Sequence, residues 1–367
     1  MSMLRKCWSV GWRVAVCAFL LLWIFHSIFL SEGKLAAQDS GQDWTKMSRA
    51  QQWSLAWSKG PQDLWNTLRL IHPLALFVSV LLVGVALFIG VVRWRMVLEA
   101  QGLHLPLARA TTISLVGQFF NSFLLGSTGG DLIKAYYAAR ETHHKKTEAV
   151  TTVFVDRLVG LWAMLLFASL MMAPNYAMLR TSRDVGVPAL FILAMLCGLT
   201  VVLGLALWGG VSKGFPRARE HLRRLPKGEV LERALDSCRQ FGKQKSFLVK
   251  TILISLLVNV IWVVQIIVLG RGLNLVIPPM ALFVIVPVIF CISALPITPN
   301  GLGVRENLFV MMLGVIKVPK TAALSVSLIA SAQGLFWSLV GGLIYVGLRE
   351  REHLGEVTQV GEDAKEN

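Results

Sequence analysis

Six charged residues stand in or beside segments that are otherwise apolar: Asp131, Lys134, Asp156, Arg157, Arg305 and Glu306. A charge near the bilayer centre costs about 2.5–3.5 kcal/mol on insertion scales, so such residues pair or line a polar path. Arg157 carries the planar fork that can grip a phosphate through two parallel hydrogen bonds. Lys134 lies one turn beyond Asp131 and shares its helix face. With Arg305 these cations could hold an anionic head group, leaving Asp131 and Glu306 as counter-charges or proton carriers. A plainer reading stands beside this one. Asp131 could be only an N-cap, Glu306 a first-turn carboxylate, and Asp156 and Arg157 residues that snorkel to the cytoplasmic interface.

Four of these charges sit in two runs built alike. The first reads Gln118-Phe119-Phe120-Asn121-Ser122-Phe123-Leu124-Leu125-Gly126-Ser127-Thr128-Gly129-Gly130-Asp131-Leu132-Ile133-Lys134. The second reads Ser293-Ala294-Leu295-Pro296-Ile297-Thr298-Pro299-Asn300-Gly301-Leu302-Gly303-Val304-Arg305-Glu306. Each is an apolar helix, then Ser/Thr with Gly or Pro, then a helix opening on a carboxylate. Helix breakers free backbone groups that cost several kcal/mol if left unpaired in hydrocarbon. Paired, interrupted segments in two halves of a chain mark the binding site of a transporter. Gly129 and Gly130, and Gly301 and Gly303, would let the two helix N-termini aim their dipoles and N–H groups at an anion.

The elements that must position these runs are membrane helices. The 367 residues are 55% hydrophobic and only 16% charged, with a mean hydropathy of +0.62. That leaves too little polar surface for a soluble domain of this size. Spans are expected at 14–30, 73–92, 150–172, 187–208, 251–269 and 322–348, each long enough to cross the hydrocarbon core. The net charge of +15 reads as topology rather than nucleic-acid binding, because the basic residues lie between the spans. Arg93, Arg95, Arg140, Lys145, Lys146, the basic loop 209–250, Arg349 and Arg351 mark the cytoplasmic side. For the count to close, 105–140 and 277–317 must each enter and leave on one side, as re-entrant hairpins facing opposite ways. The fold class is therefore an all-α polytopic membrane protein, with about six to eight transmembrane helices and an inverted repeat.

Around this region, 1–30 reads as an uncleaved signal anchor. Residues 31–72 form an extracytoplasmic segment with Trp44, Trp53, Trp57 and Trp65, either an interfacial helix or a loop packed on the bundle. Within 209–250, Val230, Leu231, Ala234, Leu235, Cys238 and Phe241 recur at helical spacing, as in an amphipathic surface helix. The tail 349–367 reads as disordered and cytoplasmic. No cofactor or metal set is legible: the five cysteines and seven histidines are dispersed, and His143-His144 lacks a third ligand. There is no HExxH, no GxSxG and no nucleotide loop, since 126–130 lacks the following Lys-Ser/Thr.

Three blocks carry a family resemblance: Gly129-Gly130-Asp131-Leu132-Ile133-Lys134-Ala135-Tyr136, then Val155-Asp156-Arg157-Leu158-Val159-Gly160-Leu161, then Leu295-Pro296-Ile297-Thr298-Pro299-Asn300-Gly301-Leu302-Gly303-Val304-Arg305-Glu306. In this order they resemble the flippase-like family typified by the transmembrane region of lysylphosphatidylglycerol synthase, over roughly 73–348. The resemblance implies a multi-pass inner-membrane protein that moves lipids, with membrane lipids bearing anionic head groups as partners. The lysyl-transfer activity is not carried over, because the sequence stops at Asn367 without the soluble transferase domain. The expected function is a lipid carrier working by alternating access, its termini cytoplasmic, alone, as a homo-oligomer or beside a membrane enzyme. The rival readings are a scaffold of a cell-envelope synthesis complex and a membrane-embedded lipid transferase.

Overall fold

The computed structural model describes residues 43–123, 129–141, 146–181, 183–208, 245–295, 301 and 303–366, with scattered positions between 22 and 37. Of 348–366 it describes the backbone alone. Every regular element among the described residues is helical: α1 Arg49–Arg69, α2 Pro73–Ala100, α3 Leu107–Phe123, α4 Gly129–Glu141, α5 Lys146–Met172, α6 Tyr176–Thr181, α7 Arg183–Trp208, α8 Lys245–Gly272, α9 Pro279–Ser293, α10 Val304–Val315 and α11 Lys320–Glu366. Five of these, α2, α5, α7, α8 and α11, contain stretches long and apolar enough to cross a membrane. The sixth expected span, 14–30, and the amphipathic helix expected at 230–241 lie outside the described residues, apart from isolated positions in the former. The tail read as disordered from 349 instead continues α11 to Glu366. Its Glu, Arg and Lys residues are good helix formers that carry on a helix already nucleated.

The hairpins expected from the sequence are present as the pairs α3–α4 and α9–α10. At about 1.5 Å per residue, α3 is roughly 25 Å long and α9 roughly 22 Å, short of the ~30 Å core. Each follows a long helix directly. The 28-residue α2 leads into α3 through 101–106, and the 28-residue α8 leads into α9 through 273–278. These two helices pack together, and the His72 N–H at the start of α2 donates to the Gly272 carbonyl at the end of α8 (2.8 Å). That bond joins opposite ends, so α2 and α8 run antiparallel. The hairpins that follow them therefore begin on opposite sides of the bundle.

Helix α2 stops where its sequence instructs it to. Gly102 takes φ +67°, its N–H reaches the Glu99 carbonyl, and the Leu103 N–H reaches that of Leu98. This is the Schellman arrangement, closed by the buried pair Leu98 and Leu103. The stop comes eight residues later than the hydropathy break at Val92, a shift that matters below.

Two cores hold the hairpins. The larger joins α5, α7, α8, α9, α10 and α11 around Leu165, Val284, Ile285, Phe309 and Met312. Helix α9 is buried on nearly every side, as a helix apolar all round must be. The smaller core joins α2, α3, α4 and α5 around Trp94, Ile113, Ala135 and Val153. Helix α11 touches both hairpins. The segment before α2 is the helix α1, capped by a reciprocal Ser48–Gln51 box. It buries Ala56, Gly60 and Leu64 against its neighbours and leaves Trp53, Trp57 and Trp65 exposed. The segment is thus a helix with one face packed and one presenting indoles, and not a loop.

Glycine sets the closeness of the first hairpin. A Cβ on Gly130 would lie 1.8 Å from the Gly117 carbonyl and 2.6 Å from Cγ of Asn121. Removing a helical glycine ordinarily adds up to about 1 kcal/mol of helix stability. Gly130→Ala should instead lower the thermal unfolding midpoint of the purified protein, by the ~1–3 kcal/mol of an overpacked core. Gly198→Ala, where a Cβ meets nothing within 4 Å, should be neutral or stabilising; equal effects at both positions would refute the close packing.

Candidate functional site

Because α2 runs on to Ala100, Arg93 sits two turns inside its end instead of flanking it. Its guanidinium donates from Nε to Oδ1 of Asp156 on α5 (2.8 Å) and from Nη2 to Oδ2 (3.2 Å). Nη1 donates to Ser255 Oγ on α8 (3.0 Å), whose own hydroxyl donates to the Thr251 carbonyl (2.7 Å). One side chain thereby ties three spans. It has room because α5 carries Gly160 one turn after Asp156: a Cβ there would come within 2.8 Å of the Arg93 guanidinium.

Lys134 reaches the same place from α4. Its Nζ lies 4.0 Å from the centroid of the Trp94 ring and 3.9 Å from Asp156 Oδ2. The first is a cation–π contact; the second is an ion pair beyond hydrogen-bonding distance. Asp131, in the first turn of α4, pairs with Arg157 of α5. The Gly130 N–H is capped by Asn121 Oδ1 across the hairpin (2.8 Å).

A cavity of about 400 Å³ opens between α2, α3, α4, α5, α8 and α11. Arg93, Lys134, Asp131 and Asp156 are its charged lining, with Ser114, Gln118 and Asn121 among the uncharged polar residues. From Arg93 a stripe of α2, Val91, Leu87 and Gly84, leads to the indoles of Trp262 and Trp337. Residues 84 to 93 cover about 14 Å of helix. The Trp337 ring lies over Gly84, where a Cβ would be 2.2 Å from it, and its Nε1 donates to the Val80 carbonyl (3.0 Å). The Ser114 hydroxyl has no hydrogen-bond partner among the described residues.

The second hairpin forms a separate cluster. Glu306, fully buried, accepts from the Gly303 N–H (2.6 Å), Ser331 Oγ (3.1 Å) and Ser327 Oγ (3.4 Å). Arg305 Nη2 donates to Ser331 Oγ, and its Nε lies 3.6 Å from Glu306 Oε1. The Ser331 hydroxyl thus stands between guanidinium and carboxylate. Gly301 and Gly303 both have positive φ, +71° and +83°, which a side chain would strain. Between the clusters runs a neutral chain: Gln265 of α8 donates to Gln333 of α11 (2.7 Å), and Gln333 donates to Ser79 of α2.

The sequence-predicted residues therefore divide. Gly130, Asp131, Lys134 and Asp156 line the cavity, with Gly129 heading α4 and Arg157 holding Asp131. Arg305, Glu306, Gly301 and Gly303 do not line it. The expectation of one pocket shared by both tips is not met among the described residues. The helices that flank the turns instead meet the same helix: Ser331 faces the second hairpin and Ser338, hydrogen-bonded to Ser122 (2.6 Å), the first. Seven residues, about 10 Å of helix, separate them. The turns themselves, 124–128, 296–300 and 302, lie outside the described residues, as do His143 and His144. Sequence reasoning took Arg93 only as a topology marker and passed over Trp94, Ser255, Gln265 and Gln333. The one legible cue was Gly102, a stop set well beyond Arg93.

The profile of the family described as the lysylphosphatidylglycerol synthase TM region matches residues 51–342. The chain belongs to that family. The match spans α1 to the middle of α11 and so takes in both hairpins and every residue of the two clusters. Among curated individual proteins, none matches the chain. Membership and the five apolar spans make it a multi-pass membrane protein.

The Arg93–Asp156 pair is nearly buried, at 14% and 10% exposure. Removing one partner of such a pair strands the other, at a cost of about 3–5 kcal/mol. Arg93→Met should therefore lower the unfolding midpoint in detergent sharply, and adding Asp156→Leu should recover much of the loss. A double variant as unstable as the single would show that the pair is not what matters at this position.

Proposed function

We propose that the protein is a carrier of the cell's inner membrane that moves an anionic or lipid-linked amphiphile between leaflets by alternating access, with both termini cytoplasmic. The observation that carries this reading is the cavity's two-part lining. Charged and amide side chains share the lining with an apolar stripe of α2, as the head group and chain of an amphiphile require. The setting agrees with it. Interrupted helices entering from opposite sides, in halves of opposite orientation, are the architecture in which transporters place a site near the midplane and rock one repeat against the other. Family membership supports a lipid as the cargo, because the family's description names a lipid synthase's membrane region.

In this reading Arg157 fixes the α4 tip through Asp131, so that Gly130, Asp131 and Lys134 present themselves to the head group. Helix α11 couples the hairpins, since its Ser331 and Ser338 belong to the two different clusters. The chain's own residues provide binding and neutralisation. No bond-making step is assigned to them.

The test is translocation of fluorescent phosphatidylglycerol in proteoliposomes. Arg157→Ala should abolish transport while the protein still elutes as a folded species with an unfolding midpoint close to wild type. Wild-type rates in that variant would sink the assignment.

A further inference from the structure

Positions along two antiparallel helices bracket the cavity. On α2 the order is Ser79, Gly84, Arg93; on α8, in the opposite chain direction, it is Gln265, Trp262, Ser255. Arg93 donates to Ser255 at one limit, and Gln333 of α11 joins Ser79 to Gln265 at the other. The second limit is also the seam between α2 and α11. There the Trp337 N–H donates to the Val80 carbonyl (3.0 Å) and its ring covers Gly84. Phe88, one turn beyond Gly84, lines the cavity and is also 46% exposed, so the cavity lies close behind this seam.

One atom here is unexplained by the fold. Gln265 and Gln333 are both buried. Gln265 Nε2 donates to Gln333 Oε1 (2.7 Å), and Gln333 Nε2 donates to Ser79 Oγ. Gln265 Oε1 is buried with no donor among the described residues, and so carries the desolvation cost of an unmade bond. Gln333, already on the same amide, has hydrogens that this oxygen can accept. Were its Nε2 to turn from Ser79 to Gln265 Oε1, the two amides would pair reciprocally, with as many bonds as before. Ser79 would keep a partner, because its hydroxyl donates to the Leu76 carbonyl within α2 (2.8 Å). The start of α2 stays on α8 through the His72–Gly272 bond. Only the tie to α11 is given up.

We infer that Gln333 is a two-position latch on the seam between α2 and α11. On Ser79 it holds the seam shut with Trp337 over Gly84; on Gln265 it frees the seam, so that the cavity opens sideways to the bilayer. Two arrangements with equal numbers of bonds form a bistable element that a modest differential interaction can bias. The spare oxygen of Gln265 is the empty seat of that element. What passes through the seam rests on the carrier reading; the latch itself does not.

The experiment measures the seam in phosphatidylcholine liposomes. Nitroxides are placed at two exposed apolar positions, Phe77→Cys on α2 and Leu335→Cys on α11, in a background without the native cysteines, and their spin–spin distance is read. Wild type should show a narrow and a wide population. Ser79→Ala removes the closed seat and should favour the wide one about fivefold, the worth of one net hydrogen bond. Gln265→Met removes the open seat and should favour the narrow one by a similar factor. Opposite shifts mark a latch, since loss of an ordinary structural bond would widen the seam in both variants. Gln265→Asn, whose amide is one methylene shorter, should shift as Gln265→Met does and replaces it if that variant does not fold. Shifts in one direction, or none, would overturn the inference. Each variant should also slow the movement of labelled phosphatidylglycerol, because each favours one position. Wild-type rates in both would overturn the latch as a door. Opposite shifts in a protein that moves no lipid, wild type included, would leave the latch standing and end the carrier reading.

Discussion

A guanidinium placed well inside a membrane helix must have its charge met, and the bundle is arranged around meeting it. Arg93 of α2 draws a carboxylate from α5 and a hydroxyl from α8, and a glycine on α5 leaves the space in which the group lies. Three of the five spans are thereby fixed in relative height and rotation. The Trp94 ring beside it is fully buried and becomes the platform for Lys134. Ion pairs of this kind are weak arguments for stability when compared with an apolar core, because desolvation offsets much of their attraction. Their value here is specificity of arrangement. With Arg93 satisfied, α4 can bring a second cation to the same place, and the cavity acquires its charged lining.

The hairpins depend on a different constraint. Helices of 17, 13, 15 and 12 residues cannot cross the core singly, so each must turn back, and each turn must lie against protein. The first hairpin does so through close backbone contact at Gly117 and Gly130, with Gly341 and Gly342 of α11 resting on Leu115 and Phe119. The second does so by near-complete burial of α9 and by the Glu306 cluster. Small residues allow one solution and apolar bulk the other, and α11 serves as the common wall.

Much of this was legible in the sequence because helix breakers and embedded charges are conspicuous in an apolar chain. The two hairpins, their opposite entry and the participation of Asp131, Lys134 and Asp156 follow from composition and from the side on which basic residues lie. Arg93 was not legible as a buried group. In Val91-Val92-Arg93-Trp94-Arg95 hydropathy falls, and only the Schellman stop at Gly102 decides that the helix continues. Gln265 and Gln333 are isolated amides in long apolar helices, and only a tertiary partner tells a hydrogen-bonded pair from two tolerated residues. The separation of the two polar clusters was beyond reach for a similar reason: both contact a third helix whose serines carry no period of their own. Glu306 turned out closer to the plain reading, a first-turn carboxylate with its hydrogen bonds filled.

The twin helices α2 and α8 reveal an asymmetry with mechanical weight. Arg93 is the 21st residue of α2 and Gln265 the 21st residue of α8, so the same rung of each repeat carries the polar group that reaches across the bundle. At one pole that rung closes with an ionic fork, whose charge-assisted hydrogen bonds are roughly twice as strong as neutral ones. At the other it closes with an amide chain, each link contributing about 0.5–1.5 kcal/mol net. The two long antiparallel helices are thus joined by an ionic fork at one level and by an amide chain at another. Of the two clasps the amide chain is the weaker, so strain that pulls α2 from α8 loads that end first.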